Sequence, residues 1–173
     1  GSEMCIRDSL NYDWSKVIGR SRQVSDRLAG GIEFLFRKAN VDYIKGEASL
    51  VASNKVSVTA ADGTIEEHEA DNILVSTGCV SRPFPNLPFN GKTVIGSKEA
   101  MVLPEQPKEM VIIGAGAIGI EFAYFFNAFG TKVTVVEMMP NILPVEDEEV
   151  SQVLQQSFVK DGIRVLTNTK VTG

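Results

Sequence analysis

The stretch VIIGAGAIGIEF, residues 111–122, narrows the folding options of this chain more than any other feature. Its glycines stand at 114, 116 and 119, after an apolar run of strand length and before one of helical period. Each has a separate task. Gly114 permits a tight turn out of the strand, Gly116 lets a pyrophosphate approach the backbone, and Gly119 lets the helix pack closely on the strand. The helix N-terminus then offers free N–H groups and partial positive charge to phosphates. A G-x-G-x-x-G alone is weak evidence. Here the strand before it and the helix after it supply the required context.

The same motif calls for an acid about 20 residues further on, at the end of the second strand. Glu137 closes TKVTVVE at that place. A carboxylate there accepts hydrogen bonds from both hydroxyls of an adenosine ribose and repels a 2′-phosphate. No arginine or lysine lies between Glu137 and Glu146 to welcome that phosphate, so the expectation is NAD rather than NADP.

From Lys108 onward the rhythm is strand, helix, strand, helix, strand: EMVIIG, then a helix with Ile118, Phe122, Phe125, Phe126 and Phe129 on one face, TKVTVVE, a second helix, and IRVLTN. Gly130 and Gly162 stand where helix ends favour glycine. The second helix carries acids in its first turn, and its expected apolar face is Val150, Val153, Leu154 and Phe158. Such alternation predicts a parallel sheet covered by helices. Upstream, Val17, Val24, Leu28, Ile32 and Leu35 mark one face of a helix between Asp13 and Asn40, with Gly30 and Gly31 as a kink or a close contact. VDYIKG and EASLVAS are candidate strands, and KVSVTA and IEEHEA flank an Asp-Gly turn, as in an antiparallel meander. NILVS, residues 72–76, has the continuous apolar character of a fully buried strand. TGCVSRPFPNLPFNGK then reads as a linker. The expected fold is α/β, a Rossmann-like doubly wound parallel sheet, truncated, with a small antiparallel β-meander upstream.

Composition excludes several function classes. The net charge is -5 and the basic residues are scattered, so there is no nucleic-acid footprint. No apolar run approaches the roughly 20 residues that span a bilayer. Cys5 and Cys79 are far apart and have no metal-type or C-x-x-C spacing. The single histidine, His68, lies in the polar run EEHEA and reads as part of a solvated strand. Neither a metal site nor a Ser-His-Asp triad can be assembled, so the chemistry is expected to belong to a bound cofactor. Residues 1–9, GSEMCIRDS, fit no pattern and read as an artefactual leader without the apolar core of a secretory signal. The expected location is the cytoplasm.

VIIGAGAIGIEFAYFFNAFGTKVTVVEMMPNILPVEDEEVS resembles the NAD domain of the pyridine nucleotide-disulphide oxidoreductase family, and NILVSTGCVSRPFPNLP resembles the segment by which that family's chain leaves its flavin domain. The likeness runs from about Leu10 to Gly173. Within the family it is greatest to members that reoxidise dihydrolipoamide on the lipoyl carrier domains of 2-oxo-acid dehydrogenase complexes. The resemblance implies electron flow from a dithiol to an enzyme disulphide, to FAD, and as hydride to NAD. It implies a homodimeric parent, of which this chain is an internal fragment without turnover of its own and marginal in stability. Residues 10–103 would be the back of the FAD domain with its linker, and residues 104–173 the first half of the NAD domain. The family's first glycine fingerprint, its C-x4-C redox pair and its His-Glu pair have no counterpart here, so no catalytic residue is expected.

The resemblance also implies site residues. Gly114, Ala115, Gly116, Ala117, Ile118, Gly119, Ile120 and Glu121 align with the segment along the NAD pyrophosphate and nicotinamide. Ala117 stands where some relatives place a tyrosine gate, and Glu121 where relatives hold an acid near the nicotinamide amide. Glu137 is the ribose ligand, and Val171 touches the adenine side through its backbone. Thr77, Gly78 and Cys79 match a flavin-contacting segment, and Ala48 a strand contact to FAD. Ser76 and Cys79 depart from the commoner alanine and serine. Two other readings remain open: a sibling disulphide reductase of the mercuric or glutathione type, and a non-enzymatic NAD-binding module.

Overall fold

The computed structural model describes residues 11–172, so Cys5 and the expected leader lie outside the described residues. The elements in chain order are α1 (Trp14–Lys38), β1 (Glu47–Ala52), β2 (Lys55–Thr59), β3 (Ile65–Glu69), α2 (Ser97–Ala100), β4 (Glu109–Ile113), α3 (Ala117–Ala128), β5 (Lys132–Val136), α4 (Glu148–Lys160) and β6 (Arg164–Leu166). They divide into two compact units. One contains residues 11–18 and 81–172, the other residues 19–80.

The first unit holds a parallel sheet in the order β4-β5-β6. Ile112 pairs with Val135, and Val135 with Val165, so the C-terminal strand ends gather at one edge. α3 and α4 pack on the same face of the sheet and share one core, as the general preference for right-handed crossovers leads one to expect. Between them and the sheet lie Ala115, Ile120, Ala123, Phe126, Val133, Val135, Phe158 and Ile163, all buried. Trp14, at the start of α1, packs its ring against Phe125, Phe126 and Phe129 and donates Nε1–H to the Leu103 carbonyl at 2.9 Å. The opposite sheet face is open at Val111, which is 64% exposed.

Both helices end as their glycines predict. Gly130 has φ +88, its amide bonds to Asn127 O at 2.8 Å, and the next amide, Thr131, reaches Phe126 O at 3.0 Å. Gly162 repeats the arrangement with Val159 and Phe158. The paired backward bonds satisfy carbonyls that a helix end leaves free. Asp147 caps α4 by accepting the Glu149 and Val150 amides.

The second unit holds the antiparallel sheet β1-β2-β3, with Ala48 opposite Val58 and Val56 opposite His68. Gly63 makes the β2–β3 turn at φ +86, where a side chain would be strained. None of residues 19–80 is buried.

Several expectations are corrected. Residues 72–76 form no strand, make no backbone–backbone hydrogen bonds among the described residues, and leave Leu74 90% exposed. A strand exists by laddering, and among the described residues no strand pairs with this run. VDYIKG is likewise unpaired; only β1 begins, at Glu47. Gly30 and Gly31 neither break α1 nor make a close contact, since a Cβ on either would meet nothing within 4 Å. On α3, Ile118 faces outward while Ile120 and Ala123 turn inward. On α4, Val150 and Val153 are exposed, and Ser151 takes the inward place beside Leu154 and Phe158. The rest of each expected face holds: Phe122, Phe125 and Phe126 of α3 and Leu154 and Phe158 of α4 join the core, and the differences lie at the edges of the stripe.

Candidate functional site

The three glycines sit where β4 ends and α3 begins, at the C-terminal edge of the parallel sheet. This is the edge at which open α/β sheets bind ligands. Gly114 has φ +101, in the left-handed region, and its amide donates to Val136 O at 2.8 Å, extending the strand pairing by one residue before the chain turns. Gly119 is there for packing. A Cβ on it would penetrate the Gly114 carbonyl and approach Ile112 Cγ2 to 3.3 Å. Gly116 differs from both. Its φ of -72 and ψ of 177 suit any residue, and a Cβ there would meet nothing within 4 Å. Neither conformation nor packing calls for glycine at 116, and the space beside it is open.

Gly116 is also the N-cap of α3, and no side chain caps it. The first amide of the helix to find a carbonyl is that of Ile120, bonded to Gly116 O at 3.0 Å. The amides of Ala117, Ile118 and Gly119 meet no acceptor among the described residues. Three donors and the positive end of a twelve-residue helix therefore converge on open space.

Glu137 directly follows β5 and is 8% exposed. Its carboxylate is already engaged. Oε2 accepts the Ala115 amide at 2.7 Å, and Oε1 accepts the Met139 amide at 2.8 Å. The loop after β5 is tied to the same turn, because the Leu143 amide donates to Ala115 O at 2.7 Å. Leu143 has φ +46, and Ser151 Oγ lies 3.3 Å from its carbonyl oxygen. Met139, Leu143 and Ser151 carry no sequence signal that marks them as supports of a glycine turn. Only the folded path of residues 138–151 shows it.

The structure thus brings together Gly114 to Gly119 and Glu137. Ala115 is fully buried, and the Ile120 side chain enters the core. Glu121 is exposed on α3. Val171 follows a segment tied to the end of β5, where the amides of Asn168 and Thr169 donate to Met139 O and Glu137 O. The flavin candidates lie in the other unit. Ala48 is in β1, and Thr77, Gly78 and an exposed Cys79 lie in a stretch without regular structure, where Gly78 has φ +73. Among the described residues no cluster of His, Cys, Asp or Glu could hold a metal, and no helix is long and apolar enough to cross a membrane. A cleft of about 230 Å³ lined by Glu109, Lys132 and Arg164 lies at the opposite, N-terminal edge of the parallel sheet, away from the glycine turn.

Comparison with known proteins agrees with this geometry. The sequence profile described as pyridine nucleotide-disulphide oxidoreductase matches residues 5–173. The chain is 44% identical over 162 residues to the dihydrolipoyl dehydrogenase of Chlorobaculum parvum, a match covering 94% of this chain and 34% of that protein. Among solved structures it is similar to LpdA from Mycobacterium tuberculosis, with a TM-score of 0.86, 27% identity, and coverage of 96% of this chain and 38% of that one. It is also similar to the HOCl-induced flavoprotein disulfide reductase RclA from Escherichia coli, with a TM-score of 0.78, 27% identity, and coverage of 92% and 36%. The chain spans about a third of the length of the curated relatives it matches. Its glycine turn, its parallel sheet and its match over residues 5–173 agree: the chain belongs to the pyridine nucleotide-disulphide oxidoreductase family.

Proposed function

We propose that the turn at residues 114–119 binds NAD, as part of an oxidoreductase that passes electrons from dihydrolipoamide through a disulphide and FAD to the nicotinamide. The observation that carries the reading is Gly116. A glycine required neither by its own φ nor by any neighbour, set before three unpartnered amides, suits the approach of a pyrophosphate.

The residues present fit the dinucleotide. The amides of Ala117, Ile118 and Gly119 donate to its phosphate oxygens, and Glu137 accepts from the adenosine ribose. An ionised carboxylate has about four acceptor sites, so two remain for ribose hydroxyls after the backbone has taken its share. The same carboxylate repels a 2′-phosphate, which favours NAD over NADP. Val171 lies on the adenine side and Glu121 toward the nicotinamide. Thr77, Gly78, Cys79 and Ala48 contribute to the flavin wall. NAD supplies the hydride acceptor when bound; the role of this chain is to hold and orient it. In this reading residues 10–103 belong to an FAD domain and residues 104–173 to an NAD domain. The whole enzyme is a cytoplasmic homodimer serving a lipoyl carrier of a 2-oxo-acid dehydrogenase complex, and the 173-residue chain alone has no turnover.

A sibling disulphide reductase is the second reading, favoured by the likeness to RclA. Calorimetric titration with NADH and NADPH tests the nucleotide assignment. NADH should bind at least tenfold more tightly, and Glu137→Ala should narrow the gap. Equal affinities in the unaltered chain would overturn the NAD assignment.

A further inference from the structure

We infer that Glu137 is the positioning residue of the glycine turn, holding it in its phosphate-facing shape before any nucleotide arrives. This rests on the dinucleotide reading and extends it. A ribose ligand needs only to reach two hydroxyls. Glu137 does something else as well. Its Oε2 accepts the Ala115 amide at 2.7 Å from 22 residues away along the chain, and its Oε1 accepts the Met139 amide at 2.8 Å. Both are short bonds to an ionised acceptor, of the kind that is stronger than a neutral pair. The site is 8% exposed, so water competes poorly for either oxygen.

The position of Ala115 gives the bond its consequence. Ala115 lies between Gly114, which makes the turn, and Gly116, which opens onto the phosphate space. Its carbonyl is held from the other side by the Leu143 amide at 2.7 Å. Both polar groups of this one peptide unit are therefore fixed, and the free amides of Ala117 to Gly119 follow directly after it. Part of the affinity for the diphosphate then runs through Glu137 without passing through the ribose. Pinned by two amides, the carboxylate also cannot swing aside to admit a 2′-phosphate. Glutamine in its place offers one acceptor oxygen where two amides need one each, and turns an N–H toward an N–H.

Two measurements test this on the full 173-residue chain. In the nucleotide-free protein, the Ala115 amide should exchange with deuterium far more slowly than those of Ala117 and Ile118. Binding of ADP and of 2′,3′-dideoxy-ADP, which lacks both ribose hydroxyls, should then be compared in the unaltered chain and in Glu137→Gln, well below the melting transition. The expected result is a loss on the order of tenfold for both ligands, the size of one charge-assisted hydrogen bond. Unchanged affinity for the dideoxy ligand, with a loss for ADP alone, would reduce Glu137 to a ribose ligand and overturn the proposal. So would an Ala115 amide that exchanges as fast as that of Ala117. A flat titration of the unaltered chain with both ligands and with NADH would remove the dinucleotide reading and this proposal together. Failure of the positioning role alone leaves the NADH titration saturable.

Discussion

Gly119 lies so close to Gly114 that no side chain fits between the first turn of α3 and the end of β4. The two glycines fix the strand–helix corner, while a side chain at Gly116 between them would meet nothing within 4 Å. Replacement should therefore separate packing from binding. Gly119→Ala forces backbone apart and should destabilise the parallel-sheet unit by about 3 kcal/mol or more. Gly116→Ala should cost about 1 kcal/mol or less, the difference between glycine and alanine at an N-cap, and yet weaken NADH binding. Thermal melts read the first effect and calorimetry the second. A Gly116→Ala protein with full NADH affinity would remove the reason given for that glycine.

Trp14 is the only tryptophan in the chain, and its ring and Nε1–H both face the parallel-sheet unit. Its fluorescence should therefore follow the melting of that unit. Trp14→Phe keeps most of the ring contacts and loses the bond to Leu103, a cost of about 1 kcal/mol. Trp14→Ala should cost about 3 kcal/mol, at the lower end for an aromatic because the residue is only partly buried. Chemical denaturation checks both.

The start of α1 should respond to acid. Asp13 Oδ1 accepts from Ser15 Oγ at 2.6 Å and from the Ser15 amide at 3.0 Å. The Ser15 hydroxyl foremost, with the Lys16 and Ser15 amides and the Lys16 charge, holds this carboxyl below its ordinary range, against a smaller opposing effect of desolvation. The folded state thus binds the proton less readily than the unfolded chain. The contribution of the cap is complete above the unfolded aspartate value near 4 and is lost as pH falls through the lower folded value. Trp14 is the next residue, so its fluorescence should report fraying in that acid window. Asp13→Asn retains a capping oxygen without the charge and should flatten that component. An identical acid response in both proteins would contradict the assignment.

Local stability should differ between the two units. The core residues Ala115, Val133, Val135 and Phe126 all belong to the parallel-sheet unit, while none of residues 19–80 is buried. Regions with little burial open at low free energy. Amides of β5 should exchange more slowly than those of β1 and β2, measured by hydrogen–deuterium exchange. Equal protection would show that exposure does not govern opening here.

What the sequence discloses follows the range of the interaction behind each feature. Gly114, Gly130 and Gly162 are legible because a left-handed φ is a local demand, and all three adopt it. The period of α3 and the alternation of β2 are local as well. The buried stripe is not, since Ile118 and Val150 face outward although their spacing suits the core. NILVS has strand composition and no ladder, because pairing requires a second segment that composition does not provide. Glu137 was legible as an acid at the end of a strand. Its bond to Ala115 was not, because that depends on the parallel register of β4 and β5, which brings residues 115 and 137 to the same edge.

A dinucleotide lying on the glycine turn should shift backbone amides during an NADH titration of the chain. The shifts should saturate and be largest at Ala117, Ile118, Gly119 and Glu137. A folded chain whose amides there stay still, or whose shifts gather instead around Glu109, Lys132 and Arg164 at the far edge of the sheet, would contradict that placement.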